Sequence, residues 1–338
     1  MSAAWPVAEL HVHIEGTLET ELLVELARRN DVALPSYDPD VLRELYTFTD
    51  LQSFLDIYYA NLAVLRTEAD FYDLALAYLT RAAAAGVRRA EIFFDPQTHL
   101  ANGIPMAVVF AGLTRALTEA RASLGISADL ILCFLRHLGG DAALETLAAA
   151  IPFRDQFIGV GLDSAEVGFP PSLFVEVFAR AEALGLYRVA HAGEEGGPEY
   201  VYEALELLGV QRVDHGIRSV EDPQLLELLR ERQIPLTVCP FSNVCLKATE
   251  SLAVHPLPAL LAAGLLVTIS SDDPAYFGGY IDDNLTAVQR EFDLDPHQMA
   301  TLARNSFHAA FLPEAEKRRH LAAVDEHLAE LLRLTSGA

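Results

Sequence analysis

Cysteine is scarce in this 338-residue chain: Cys133, Cys239 and Cys245 are the only ones, and no two of them stand in a CxxC spacing. That excludes a disulfide framework and a zinc site built on a P-C-x-x-C pair of cysteine ligands, and it suits a reducing compartment. Lysine is scarcer, with Lys247 and Lys317 alone. Basic residues number 24 against 48 acidic ones, and the resulting net charge of −24 repels phosphate backbones, so neither nucleic acid nor an anionic membrane is an expected partner. No stretch approaches 18 uninterrupted apolar residues, and the opening MSAAWPVAELHVHIEG has neither the basic nor the apolar region of a signal peptide. A cytoplasmic location is expected, while oligomeric state is left open.

What is present is a regular alternation. Eight short apolar or β-branched runs, at about 7–13, 89–95, 128–135, 157–163, 187–192, 211–215, 234–239 and 265–271, alternate with helical patterns at 19–30, 69–85, 105–124, 141–150, 172–184, 199–208, 222–232 and 256–263. Gly86, Gly125, Gly185, Gly209 and Gly264 stand where helices end before the next strand, the place for a residue in the left-handed conformation. Eight such units predict an α/β protein, a (β/α)₈ TIM barrel forming one domain over 1–338. Two additions are expected: a helical insertion at 37–66 after strand 1, and a C-terminal helical extension at about 283–334. In the insertion, Phe48, Leu51, Phe54, Leu55 and Tyr58 recur at helical spacing and are expected to be core, a lid over the site being the sharper alternative.

The ionisable motifs fall at the carboxyl ends of the strands, where barrel enzymes place their chemistry. ELHVHIEGTLE puts His11 and His13 on one side of strand 1 with Cα atoms about 6.6 Å apart. Two imidazoles at that separation reach one zinc, although histidines satisfied by hydrogen bonds would look the same. VAHAGEEGGPE ends strand 5 with His191 and Glu194; Glu195 and Glu199 read more simply as acids complementing the next helix. RVDHGIRS offers His215 as a further ligand or an acid/base group. SSDDPAYFGG offers Asp272 and Asp273, as a ligand and a hydrogen-bonding carboxylate or as an ordinary capped turn. In TVCPFSN, Cys239 is expected to pack as a small apolar residue, with Ser242 and Asn243 fixing the loop.

HxH, HAGE, DHG, CPxSN and SDDP, in this order over residues 9–284, resemble the adenosine/adenine deaminase family of the amidohydrolase superfamily. The resemblance implies His11, His13, His191 and Asp272 as ligands of one Zn²⁺ per chain. It implies Glu194 as the proton-shuttling acid, His215 as the residue orienting a zinc-bound hydroxide, and Asp273 as the carboxylate that hydrogen-bonds the purine. Strand 4, FIGVGLDSAE, lacks the lysine that bridges two metals in other amidohydrolases, which agrees with a single ion. Nucleoside-acting members carry HxHLDG and a glycine in the strand 4 loop; here Glu15 and Glu166 take those places, and both are expected at the substrate, crowding a ribose. SSDDPAYFGGYIDDN also resembles the adenine-acting branch. The implied reaction is hydrolytic deamination of adenine to hypoxanthine and ammonia. The alternatives are adenosine or an N6-substituted adenine as substrate, or an inactive purine-binding barrel.

Overall fold

The computed structural model describes residues 4–336. Eight strands, β1 (Val7–His13), β2 (Val87–Phe94), β3 (Ser127–Leu135), β4 (Gly159–Asp163), β5 (Tyr187–Ala192), β6 (Arg212–His215), β7 (Leu236–Val238) and β8 (Val267–Ile269), form one sheet in chain order. Every neighbouring pair is parallel. The ring closes between β8 and β1 through a single bridge at its mouth, Val12 opposite Asp272, where the His13 amide donates to the Asp272 carbonyl at 3.0 Å and the Asp272 amide to the His11 carbonyl at 3.1 Å. The seam is thus sewn by the residues expected to hold metal.

The strands are almost wholly buried, and the long core lies between their outer faces and the surrounding helices. Each of the five helix-ending glycines has positive φ, from 60° to 96°, which a side chain would resist. Inside the barrel, Phe93, Ile131, Cys133 and Val189 pack beneath the mouth. Gly161 on β4 is needed there, since a Cβ on it would come within 2.5 Å of the Cys133 sulfur. The far end is plugged by a buried ion cluster, Arg212 Nη1 donating to Glu91 Oε2 at 2.6 Å and Arg89 Nη2 to Glu91 Oε1 at 3.1 Å. Phe311, from the C-terminal extension, lies under the Arg212 guanidinium and stacks on Tyr187.

Three short helices escape the periodicity: Pro96–Ala101, Pro240–Cys245 and Pro274–Phe277. Each starts with proline shortly after a strand, one residue intervening after β2, after β7 and after the Asp272 bridge that follows β8, because proline's missing N–H costs nothing at the first helical position. The residues before these prolines, Asp95, Cys239 and Asp273, are thereby fixed on the rim. No helix among the described residues is long and apolar enough to cross a membrane.

Candidate metal centre and active site

Every expected metal ligand lies at the mouth, and four converge. One ligand atom from each of His11, His13, His191 and Asp272 falls within 4.8 Å of the others, all buried. His13 Nε2 is 3.2 Å from His191 Nε2; Asp272 Oδ1 is 3.1 Å from His11 Nε2 and 3.4 Å from His13 Nε2. A tetrahedral ion with bonds of about 2.0–2.1 Å separates its ligand atoms by about 3.3–3.4 Å, so these gaps are those of a tetrahedron's edges. The His11 Nε2 atom is buried with no hydrogen-bond partner, as an atom reserved for a metal would be.

The surrounding groups fix which nitrogen faces the cluster. Thr237 has one hydroxyl proton, which it donates to Asp214 Oδ1 at 2.8 Å; it therefore accepts at 2.9 Å from His11 Nδ1–H, leaving the His11 Nε2 lone pair free. Asp214 also stands 3.7 Å from His191 Nδ1, and Asp163 stands 3.5 Å from His13 Nδ1. Burial holds His13 down to about 4, and burial with neighbouring imidazoles holds His191 well below the usual range. Both are neutral, the form that ligates. Phe93 makes an apolar floor, its ring centroid 5.1 Å from those of His11 and His13.

His215 and Asp272 take positive φ, 62° and 65°, at the ends of β6 and β8. Such backbone strain in non-glycine residues collects at functional sites. A relay fixes the His215 ring: Leu257 N–H donates to His255 Nδ1, His255 Nε2–H to Asn243 Oδ1, and Asn243 Nδ2–H to His215 Nδ1. His215 Nε2 then carries the proton, 3.5 Å from Glu194 Oε2 and 3.8 Å from Asp272 Oδ2. Sequence reasoning missed His255, Asp214 and Thr237, and gave Asn243 only a loop.

Glu194 and Asp273 line the same cavity as the cluster. Burial, then the charge of Asp272, pushes both carboxyls well up, so each holds its proton readily. Asp273 sits at the cap position of Pro274–Phe277 but makes no capping bond, and its Oδ1 has no partner. The capped-turn reading of SSDDP therefore fails for its side chain. Gly16 makes room for it, because a Cβ there would lie 1.9 Å from Asp273 Oδ1. Leu51, Phe54, Leu55, Tyr58 and Tyr59 of the Leu51–Asn61 helix form the apolar wall, so the insertion is both core and cover.

Two expectations are corrected. Glu15 does not reach the cavity: its Oε1 accepts from the Asp95 amide at 3.1 Å and pairs with His99 Nε2 at 2.8 Å, fully buried. Glu166 is likewise turned away, since its two oxygens accept four backbone amides, from Gly193, Glu194, Glu195 and Gly196, at 2.7–3.1 Å. The carboxylate is fully buried against this turn and does not line the cavity, so it does not meet the base. Its work is to hold the turn that carries Glu194, aided by buried Arg136, whose Nη1 donates to the His191 carbonyl at 2.8 Å. Glu166→Gln puts an NH₂ against backbone donors; we expect kcat to fall about tenfold to 100-fold through misplacement of Glu194, with metal content and the adenine-to-adenosine ratio unchanged in steady-state assays. A changed ratio would return Glu166 to the substrate.

A competing trio, His11, His215 and Cys239, also falls within ligating distance. Burial pushes the Cys239 thiol well up, and it donates to the Thr237 carbonyl, so it stays a thiol and packs as expected.

A cluster of three histidines and an aspartate able to hold a metal ion at the mouth of a (β/α)₈ barrel, beside a buried acid and a further histidine, defines a metal-dependent hydrolase. Comparison with known proteins agrees: the family model described as Adenosine deaminase matches residues 6–327, and the chain belongs to that family. An adenine deaminase from Streptomyces coelicolor is 60% identical over 324 residues, 95% of this chain and 95% of the relative. The crystal structure of an adenine deaminase from Arthrobacter aurescens superposes with a TM-score of 0.94 at 52% identity, over 96% of this chain and 99% of that one. A cog1816 amidohydrolase from Burkholderia ambifaria, solved with bound Zn, gives a TM-score of 0.91 at 28% identity over 99% and 94%.

Proposed function

We infer that this protein hydrolyses adenine to hypoxanthine and ammonia, with one zinc ion per chain held by His11, His13, His191 and Asp272. The observation that carries the reading is the placing of the ligand cluster, Glu194 and Asp273 in one buried cavity, in a chain 60% identical to an adenine deaminase.

Those four residues would hold a zinc ion, which when bound would lower the pKa of a water to about 7 and so make the attacking oxygen available at neutral pH. The protein's own groups do the rest. The His215 Nε2–H, locked outward by the Asn243 and His255 relay, orients that water toward C6 of the purine. Glu194 gives its proton to N1, so the ring accepts the electron pair displaced from C6 without building full negative charge. Asp273 hydrogen-bonds the imidazole edge at N7 and keeps C6 in line. Glu194, left as a carboxylate, then carries the proton of the new C6 hydroxyl to the amine, so that the C6–N bond breaks as C6=O forms and ammonia leaves, and the proton released by the attacking water restores the Glu194 carboxyl. The apolar wall of the Leu51–Asn61 helix excludes bulk water, which strengthens each of these interactions.

The test is a panel of adenine, adenosine and N6-methyladenine with the zinc-loaded protein, followed by loss of ultraviolet absorbance. We expect kcat/KM for adenine to exceed that for adenosine by about 100-fold or more; preference for adenosine would overturn the substrate while leaving the hydrolytic chemistry.

A further inference from the structure

We propose that Asp95, with Asp163 beside it, recognises the imidazole N–H that free adenine has and a nucleoside lacks, and so sets the preference for base over nucleoside. The proposal rests on the adenine reading above and names the residues that enforce it.

The cavity's polar groups divide around the rim. Glu194, His215 and Asp273 stand on β5, β6 and β8, the arc that handles the reacting end of the purine. Asp95 and Asp163 end β2 and β4, on a different arc, and both line the cavity. Each is 2% exposed. Asp95 Oδ1 and Asp163 Oδ1 receive no hydrogen bond from the protein, while Asp163 Oδ2 is turned to His13 Nδ1 at 3.5 Å. Asp95 stands at the cap position of Pro96–Ala101, where an aspartate ordinarily accepts from the helix amides, yet it makes no such bond. A buried acceptor left without a donor is costly, and two together facing a cavity call for a ligand that brings a donor.

Adenine has two kinds of donor. The exocyclic amine is the leaving group and lies at the metal. The other is the ring N–H of the imidazole, at the opposite end of the fused system. In adenosine that nitrogen carries ribose, so the donor is gone and the carboxyl opposite is left buried and unpaired. Sites built to bond an N–H reject analogues lacking it far more strongly than apolar pockets reject a change in size. This also accounts for selectivity without Glu15 and Glu166, which are committed elsewhere. Glu15 contributes indirectly, because its bond to the Asp95 amide fixes the turn from which the Asp95 carboxyl enters the cavity.

The experiment compares adenine with 9-methyladenine, which keeps the reacting end and lacks the N–H, in wild type, Asp95→Ala and Asp95→Asn, with zinc content measured for each. In wild type we expect kcat/KM for adenine to exceed that for 9-methyladenine by about 100-fold. In Asp95→Ala that ratio should collapse to below about tenfold, mostly through a rise in KM for adenine, with zinc retained. The isosteric Asn variant serves if the Ala variant does not fold, and should lower the ratio in the same direction. A wild type that accepts both substrates equally, or a variant that keeps the full ratio, overturns the proposal. So does a second equivalent of zinc in wild type that is lost from the variants, since the carboxyls would then serve a metal. Failure of wild type to turn over adenine at all, with adenosine consumed, overturns instead the adenine reading on which this one stands.

Discussion

Glu194→Gln is expected to keep a full equivalent of zinc and to lose about 10³-fold in kcat on adenine. The glutamine fits the same space, and Glu166 grips the turn through backbone amides that the substitution does not touch. What disappears is the acidic proton. Burial and the nearby Asp272 hold the Glu194 carboxyl protonated well above the ordinary range, so it is ready to supply N1 at neutral pH. An amide cannot supply it, and water is kept out by Leu51, Phe54 and Tyr58. KM should change little, because an amide N–H still satisfies N1 in the ground state. Metal analysis beside steady-state kinetics checks this; wild-type turnover would remove Glu194 from the chemistry.

His13→Ala should abolish activity by another route, through the metal. His13 Nε2 forms two of the short edges of the ligand tetrahedron, to His191 and to Asp272, and three donors bind zinc far more weakly than four. We expect less than about 0.1 equivalent of zinc after dialysis and turnover near background, against full occupancy and near-wild-type turnover in Cys239→Ser. Zinc retained by the histidine variant, or lost from the cysteine variant, would shift the ligand set toward Cys239 and His215.

The fold was legible because the barrel repeats one pattern eight times, and five of its helices close on a glycine whose positive φ the structure bears out. The ligand cluster was legible because HxH and DD are local, and a strand's alternation aims His11 and His13 together. Asp214, Thr237 and His255 were not, since each acts only through a partner on another strand or loop, and nothing in the surrounding residues records the pairing. Glu166 misled for the same reason: its position after β4 was correct, but whether its carboxylate faces the cavity or four amides is decided by the turn after β5. Asp95 did carry a signal, an Asp-Pro after a strand, the same signal that made Asp273 conspicuous.

The seam between β8 and β1 gives the site a direction in time. His11 and His13 belong to the first strand and Asp272 to the end of the last, so the complete ligand set exists only once the whole ring has been laid down and its ends have met. A chain whose final strand has not docked has three imidazoles and no carboxylate, and holds an ion loosely at best. A metal ion held there would therefore be a clasp that fastens last: its capture would reward the long-range closure that costs the chain most entropy, and a molecule holding the ion firmly would, by that fact, have finished folding.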